Sequence, residues 1–187
     1  MKSYQLILAE HQILETERLV LRPVTLEDAA DMYEYASDEE TTTYVFDKHK
    51  TIEDTRENLA TYFLSKPLGT YGIILKDQQK MIGTIDIRID EANRKAELGY
   101  TLNRAFWGQG LTTEAGQKML WLAFDKLCLN RVEAKHDERN PASGRVMAKL
   151  GMVKEAVLRN DAILKGEVTT TVICGITKED YFNSQEQ

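Results

Sequence analysis

The chain is poor in several residues that mark specialised classes of protein. Its 187 residues include two cysteines, three prolines and three histidines. Cys128 and Cys174 stand far apart, with no CxxC pair and no histidine at metal-ligand spacing. That excludes a disulfide scaffold and predicts no metal site, with each thiol reduced and buried as a small hydrophobe. Basic charge is also short. Against 30 Asp+Glu there are 24 Lys+Arg, a net of -6, which argues against direct nucleic-acid binding because phosphates need clustered cations. No apolar run reaches membrane-spanning length, so no membrane partner is expected. Met1 to Glu15 lacks the basic flank and long apolar stretch of an export signal, which makes a cytoplasmic location the expectation.

What is present is the composition of an ordinary globular domain, 42% hydrophobic and 29% charged. At this size folding hides roughly 70% of the unfolded surface, so a core can form without cross-links. No repeat, linker or low-complexity stretch interrupts the chain. One domain is therefore expected over residues 1–187, with its core at about 14–178.

Periodicity supplies the order of elements. Arg18 to Val24 reads as a first strand ended by Pro23. Thr25 with Asp28, and Thr51 with Asp54, have capping-box spacing and open two helices. The first presents Ala29, Met32, Tyr33 and Ala36, the second Ile52, Leu59, Tyr62 and Phe63. From Tyr71 the period becomes two, and Tyr71–Leu75, Met81–Ile89 and Ala96–Leu102 read as an antiparallel meander. A long helix follows to about Leu127, with Ala115, Met119, Leu122 and Ala123 on one stripe. Arg131–Glu138 is a strand, Asn140-Pro141 starts a helix ending at Gly151, and strands near Lys154–Leu158 and Val168–Ile176 precede a polar tail. The fold class is α+β on a mixed sheet.

The stretch with the strongest chemical content is Trp107-Gly108-Gln109-Gly110-Leu111-Thr112-Thr113, a loop between a strand and a helix. Glycines before a helix let a ligand approach the backbone, and the first-turn amides with the helix dipole attract a pyrophosphate. A Walker loop is excluded because no Gly-Lys-Ser/Thr follows. A dinucleotide fingerprint fails because Thr113 replaces its third small residue and the preceding strands look antiparallel.

Here the chain resembles a known family, the GNAT acetyltransferases, and within it the RimJ/RimL branch of ribosomal-protein N-terminal acetyltransferases. Glu15-Thr16-Glu17-Arg18-Leu19-Val20-Leu21-Arg22-Pro23 is similar to the branch's opening, and Ala96-Glu97-Leu98-Gly99-Tyr100-Thr101-Leu102 to its central strand. Trp107 to Ala115 resembles the acetyl-CoA loop. Asn140-Pro141-Ala142-Ser143, continuing through Lys149-Leu150-Gly151-Met152 to Leu158-Arg159, resembles the segment after it. The departures are Thr112, where the loop usually has Gly or Ala, and Thr170 and Cys174, where the branch usually shows Asp and Tyr.

The resemblance implies a single GNAT-type domain, a mixed and mostly antiparallel twisted sheet of about six to seven strands flanked by about four helices. It implies acetyl-CoA as donor and a primary amine as acceptor, with no metal. The expected donor site is Tyr100, Thr101 and Leu102, then Trp107, Gly108, Gln109, Gly110, Leu111, Thr112 and Thr113, with Asn140 and Ser143. A bulge on the central strand would also aim an N–H at the thioester carbonyl. Glu97 is the expected base, direct or through water, or else a strand glutamate paired to Arg88 or Lys95. Ser143 is the expected proton donor to the thiolate and Asn140 a pantetheine ligand, although the two also make a helix cap. Branch members are often dimers, which allows a homodimer.

Acceptor chemistry stays open. A lysine amine of pKa about 10.4 is about 0.1% neutral at pH 7.4, an α-amine of about 7.8 roughly a third, so base catalysis matters less for a protein N-terminus. The first hypothesis is a protein N-terminal acetyltransferase. The second is the same reaction on a polyamine or aminoglycoside, and the third a non-catalytic acyl-CoA-binding regulatory module. Tyr33, Tyr35, Tyr44 and Phe46 read as acceptor groove or as core, Asp161 to Lys165 as a further groove wall, and His136 as a strand histidine near the donor. Asp86 and Asp90 join Glu97 as an acidic face for a cationic acceptor, or as solvated surface.

Overall fold

The computed structural model describes residues 2–185. The chain opens with α1 (Tyr4–Glu10), β1 (Leu14–Glu15) and β2 (Leu19–Arg22), then α2 (Ala29–Ala36), α3 (Glu39–Thr42) and α4 (Ile52–Asn58). The meander follows as β3 (Thr70–Leu75), β4 (Lys80–Asp90) and β5 (Lys95–Leu102). After the loop come α5 (Leu111–Trp121), β6 (Arg131–Asp137), α6 (Pro141–Lys149), β7 (Val153–Leu164), β8 (Glu167–Thr177) and α7 (Lys178–Gln185). The sheet has the order β1-β2-β3-β4-β5-β6-β8-β7. β5 and β6 run parallel, while β1–β2, β2–β3, β3–β4, β6–β8 and β7–β8 are antiparallel.

The class is α+β with a mixed sheet, as expected, but the counts are higher. Among the described residues there are eight strands and seven α-helices. The additional strand is the two-residue β1, which pairs Leu14 with Leu21. The additional helices α1, α3 and α7 bury only Leu8, Thr41 with Thr42, and Tyr181, too little for an apolar stripe to stand out in sequence.

By internal contacts the chain forms two compact units. One is built from the chain up to Asp86 with Tyr100–Lys118, the other from Ile87–Gly99 with the chain from Met119 on. In the first, both capping boxes form: the Thr25 amide donates to Asp28 at 2.7 Å and the Thr51 amide to Asp54 at 2.9 Å. Arg22 grips Asp28 through both terminal nitrogens at 2.7 and 2.9 Å. Ala29, Met32, Tyr35 and Ala36 of α2 pack with Leu59, Ile74 and Met81 into a core cluster that Phe46 and Phe63 extend. Two stripe expectations shift. Tyr35, not Tyr33, takes the core position, and Tyr33 donates to the Lys50 carbonyl at 3.1 Å. Tyr62 is 51% exposed, because α4 continues as a π-helical turn over Leu59–Phe63 whose wider period rotates it off the apolar face.

In the second unit Ala96 and Leu98, Val132 and Ala134, and Val172, Cys174 and Ile176 are buried in alternation along β5, β6 and β8. α6 adds Met147, and its C-cap Leu150 is buried beside it in sequence. The expected polar tail is α7, held by one aromatic: Tyr181 stacks on Phe124 with ring centroids 4.9 Å apart, and its hydroxyl donates to Asp125 at 3.1 Å. Cys174 is buried as expected, and burial raises its thiol pKa. Cys128 is exposed instead, in a left-handed turn with φ 53°.

Candidate active site

Within the first unit, the end of β5 and the loop before α5 form one structure. Asn103 caps a single 3-10 turn, Arg104–Phe106, by accepting from the Ala105 amide. The indole of Trp107 then turns back and donates to the Leu102 carbonyl at 2.7 Å, so the loop's first residue clasps the strand it leaves. Gly108 and Gly110 have φ of +76° and +77°, a region costly for any residue with a side chain. A Cβ at Gly108 would meet nothing within 4 Å. The constraint is thus conformational, and the outer side of the loop is open to a ligand. α5 begins directly after Gly110, and the first intrahelical donor is Glu114, whose amide reaches the Gly110 carbonyl at 3.0 Å. The amides of Leu111, Thr112 and Thr113 therefore have no acceptor within the helix and lie at its positive end. This is an anion cradle of the kind a pyrophosphate needs, and the residues present fit acetyl-CoA.

The loop is seated by residues that motif reading did not place together. The Glu114 carboxylate accepts from the Thr16 hydroxyl at 2.5 Å, the Arg18 amide at 2.9 Å and Arg18 Nε at 2.7 Å. Arg18 Nη1 also donates to the Gln109 carbonyl at 3.0 Å. Burial pushes the Glu114 carboxyl up, but the bonds from Thr16 and Arg18 outweigh it and hold it below the usual glutamate range. Beneath the strand end, Gly83 leaves room for Thr101: a Cβ there would collide with the Thr101 carbonyl oxygen and stand 3.0 Å from Leu102 Cα.

In the second unit Glu97 lies in a chain of alternating charges. Its two oxygens take Arg88 Nη2 at 2.7 Å and Lys135 Nζ at 2.8 Å. Glu133 takes Lys95 and Arg131 at 3.4 Å each, and Arg131 continues to Glu155 at 2.7 Å. Arg131 lies flat over Gly175, where a Cβ would collide with the guanidinium. Of the partners expected for Glu97, Arg88 is present, while Lys95 goes to Glu133. Parallel pairing sets Lys95 opposite Arg131 and Glu97 opposite Glu133, and Lys135, the next β6 residue on that face, reaches Glu97. Burial raises the Glu97 carboxyl, the bonds from Lys135 and Arg88 lower it, and the balance falls below the ordinary value. Asp90, expected on the same acidic face, instead closes a turn with Asn93, whose side chain donates to it at 2.7 Å.

Asn140 and Ser143 share the start of α6. Asn140 is its N-cap, accepting from the Ser143 amide at 3.2 Å through Oδ1, so the cap is real and Nδ2 is the group left for a ligand. The His136 ring lies against this turn: Nε2 would be 3.0 Å from a Cβ at Gly144, and Nδ1 bonds the Asp137 carbonyl at 2.7 Å. β6 pairs with β5 only through Glu133, yet runs on to Asp137 paired with β8 alone. One edge of Ala134–Asp137 is thus left without a strand partner, the arrangement that accepts an added extended chain.

The remaining candidates are structural in varying degree. Tyr35 is core, and Phe46 packs on the core cluster beside His49, ring centroids 5.6 Å apart. His49 bonds Thr55 at 2.8 Å. Asp161 to Lys165 form the end of the β7–β8 hairpin. Thr170 stands on β8 and its carbonyl accepts from the Glu138 amide at 2.9 Å. Among the described residues no group of three or more His, Cys, Asp and Glu is placed to hold a metal ion, and no helix is long and apolar enough to cross a membrane.

Comparison with known proteins bears on the same elements. Residues 18–153 match the family model described as "Acetyltransferase (GNAT) domain". The chain is 35% identical to the uncharacterized N-acetyltransferase p20 of Bacillus licheniformis over 91% of its own length and 98% of that protein's. It is 28% identical to the ribosomal-protein-serine acetyltransferase of Escherichia coli over 60% of its length and 64% of that protein's. A GNAT-family acetyltransferase structure from Bacillus anthracis superimposes with TM-score 0.80 at 27% identity, covering 89% of this chain and 99% of that one. Two more distant structures share the fold. The microcin C7 self-immunity acetyltransferase MccE with acetyl-CoA and AMP has TM-score 0.77 at 22% identity, covering 87% and 93%. RimL, the ribosomal L7/L12 α-N-protein acetyltransferase, with coenzyme A has TM-score 0.77 at 20% identity, covering 88% and 97%.

Proposed function

The chain belongs to the GNAT acetyltransferase family and is an N-acetyltransferase that uses acetyl-CoA; from that premise we propose that its acceptor is the α-amine of a protein N-terminus, in the manner of the RimJ/RimL branch. The observation that carries the reading is the state of Glu97. With one oxygen taken by Arg88 at 2.7 Å and the other by Lys135 at 2.8 Å, two cations that lower its pKa from the ordinary value, it is a weaker base than a free glutamate. A weak base suits an acceptor that is already roughly a third neutral at pH 7.4 better than an ε-amine or polyamine nitrogen at about 0.1%. The likeness to the ribosomal-protein-serine acetyltransferase of E. coli supports a protein acceptor.

The donor supplies an activated acetyl group and a thiol leaving group. In this proposal the amides from Gly108 to Thr113 bind the pyrophosphate, and Trp107 holds that loop to the end of β5. Tyr100, Thr101 and Leu102 bond the pantetheine amides, with Asn140 contributing Nδ2. Glu97 draws the proton from the attacking amine through water, and Ser143 returns one to the departing sulfur. Free-thiol release from acetyl-CoA, measured across N-terminal peptides, polyamines and aminoglycosides, tests the acceptor class. Acceleration by peptides with a free α-amine is expected. Acceleration by polyamines or aminoglycosides alone moves the function to the small-amine reading, and donor binding with no accelerating amine leaves a regulatory module.

A further inference from the structure

The sequence suggests an acidic face of Glu97 with Asp86 and Asp90, the kind that draws a cationic acceptor. The structure gives Glu97 cationic neighbours instead. Arg88 Nη2 takes one of its oxygens at 2.7 Å and Lys135 Nζ the other at 2.8 Å, so an acceptor amine that reaches Glu97 passes beside an ammonium. Lys135 has bonding capacity to spare. An ammonium carries three N–H donors, the Lys135 side chain is 41% exposed, and Glu97 is the one carboxylate it bonds among the described residues. The bond to Glu97 raises the Lys135 pKa further, which keeps it charged through neutral pH.

The surroundings of Lys135 leave that charge available. On its own strand it stands between Glu133, which takes Lys95 and Arg131, and Asp137, which is held by Arg139 at 2.8 Å. On β8 it lies opposite Ile173, which in turn lies opposite Ala156 of β7, and one step along the same face Thr171 lies opposite Leu158. These four residues are uncharged and partly or fully exposed. On the other side β6 has no β5 partner beyond Glu133. Lys135 therefore forms a rim between Glu97 and an uncharged shelf at the open edge of its strand.

We infer that Lys135 determines acceptor specificity, selecting α-amine acceptors that bear an acidic side chain at the first or second residue and disfavouring those that bear a basic one there. The inference rests on the N-terminal reading above, in which Glu97 receives the amine proton through water. Consecutive α-carbons are about 3.8 Å apart, so the side chains of the first two residues are the ones brought close to an ammonium 2.8 Å from Glu97. A carboxylate there takes the N–H donors that Glu97 leaves over, and a cation there meets like charge. An acidic side chain also offsets the positive charge beside Glu97, so the selection acts on transfer as well as on binding.

The test is kcat/KM of the full chain on peptides with a free α-amine and Glu, Gln or Arg at the first or the second position, repeated with Lys135→Gln and Lys135→Glu. Arginine serves as the basic residue because it adds no second amine to acetylate. For a solvent-exposed pair the wild type is expected to prefer Glu over Gln by about two- to fivefold, with Arg below Gln. Lys135→Gln is expected to bring the Glu and Gln peptides level, and Lys135→Glu to place Arg above Glu. Loss of stability alone does not reverse a preference, and if Lys135→Glu melts well below the wild type, Lys135→Gln carries the test by itself. Equal rates on all three peptides at both positions in the wild type, or a Glu preference that persists in Lys135→Gln, would overturn the proposal while leaving the α-amine acceptor in place. Transfer to spermidine with none to any peptide would overturn both.

Discussion

Glu114→Gln is the perturbation that isolates the seat of the donor loop. The carboxylate serves the Thr16 hydroxyl, the Arg18 amide and Arg18 Nε at 2.5–2.9 Å. Glutamine keeps one acceptor oxygen and turns an NH2 toward one of those donors, so about one charge-assisted bond is lost, on the order of 1.5–3 kcal/mol. The Arg18 side chain is 44% exposed, and solvent screening limits the ion-pair share to at most about 1 kcal/mol. A net of about 1–2 kcal/mol remains, roughly a five- to thirtyfold factor if it falls on donor binding. Because Arg18 also tethers the Gln109 carbonyl, the loss loosens the anion cradle itself. Initial rates against acetyl-CoA at saturating acceptor are expected to show KM raised by about that factor and kcat changed less. A double-mutant cycle with Arg18→Met is expected to give a coupling of about 1 kcal/mol. An unchanged acetyl-CoA KM alongside a lowered melting temperature refutes the reasoning, since the clamp would then stabilise the fold without shaping the loop.

Three further outcomes are expected. Ser143→Ala should lower kcat more than donor affinity, because the Asn140 cap uses the Ser143 amide and survives the change; unchanged turnover would leave Ser143 as part of a cap only. Glu97→Gln should alter the pH–rate profile and lower stability by about 1 kcal/mol at neutral pH. Since the folded carboxyl titrates below the ordinary 4.5, its contribution is present above that value and lost as pH falls through the folded pKa. The stability gap between variant and wild type should therefore close in acid, and a pH-independent gap would contradict the ion-pair account. Gly83→Ala should cost about 3 kcal/mol or more, because the added Cβ meets backbone atoms of Thr101 and Leu102 that cannot swing aside; a chemical-denaturation midpoint near wild type would contradict it.

What the sequence made legible was local. The Thr25–Asp28 and Thr51–Asp54 boxes, and the Ala115, Met119, Leu122, Ala123 stripe, each lie within a few turns and are present in the fold. The glycines of the loop announced themselves because no other residue takes their φ cheaply. Long-range pairing was hidden. Nothing near Glu114 in sequence points to Arg18, and the Lys135 partner of Glu97 follows from a parallel register that reaches β6 after an intervening helix. The helices α1 and α7 were missed because each buries a single side chain, Leu8 and Tyr181, too little to leave a period. The full length of β7 was missed because its exposed residues do not alternate.

Acceptor identity is tested most directly by mapping the product. A peptide bearing both a free α-amine and an internal lysine is incubated with acetyl-CoA and the enzyme, beside the same peptide with its α-amine blocked, and the acetylated position is read by fragmentation mass spectrometry. The account predicts acetylation of the α-amine in the first peptide and none in the second. Acetyl transfer to the lysine of the blocked peptide at a comparable rate would contradict it, because a carboxylate paired to both Arg88 and Lys135 is a poor base for an amine that is almost wholly protonated at neutral pH.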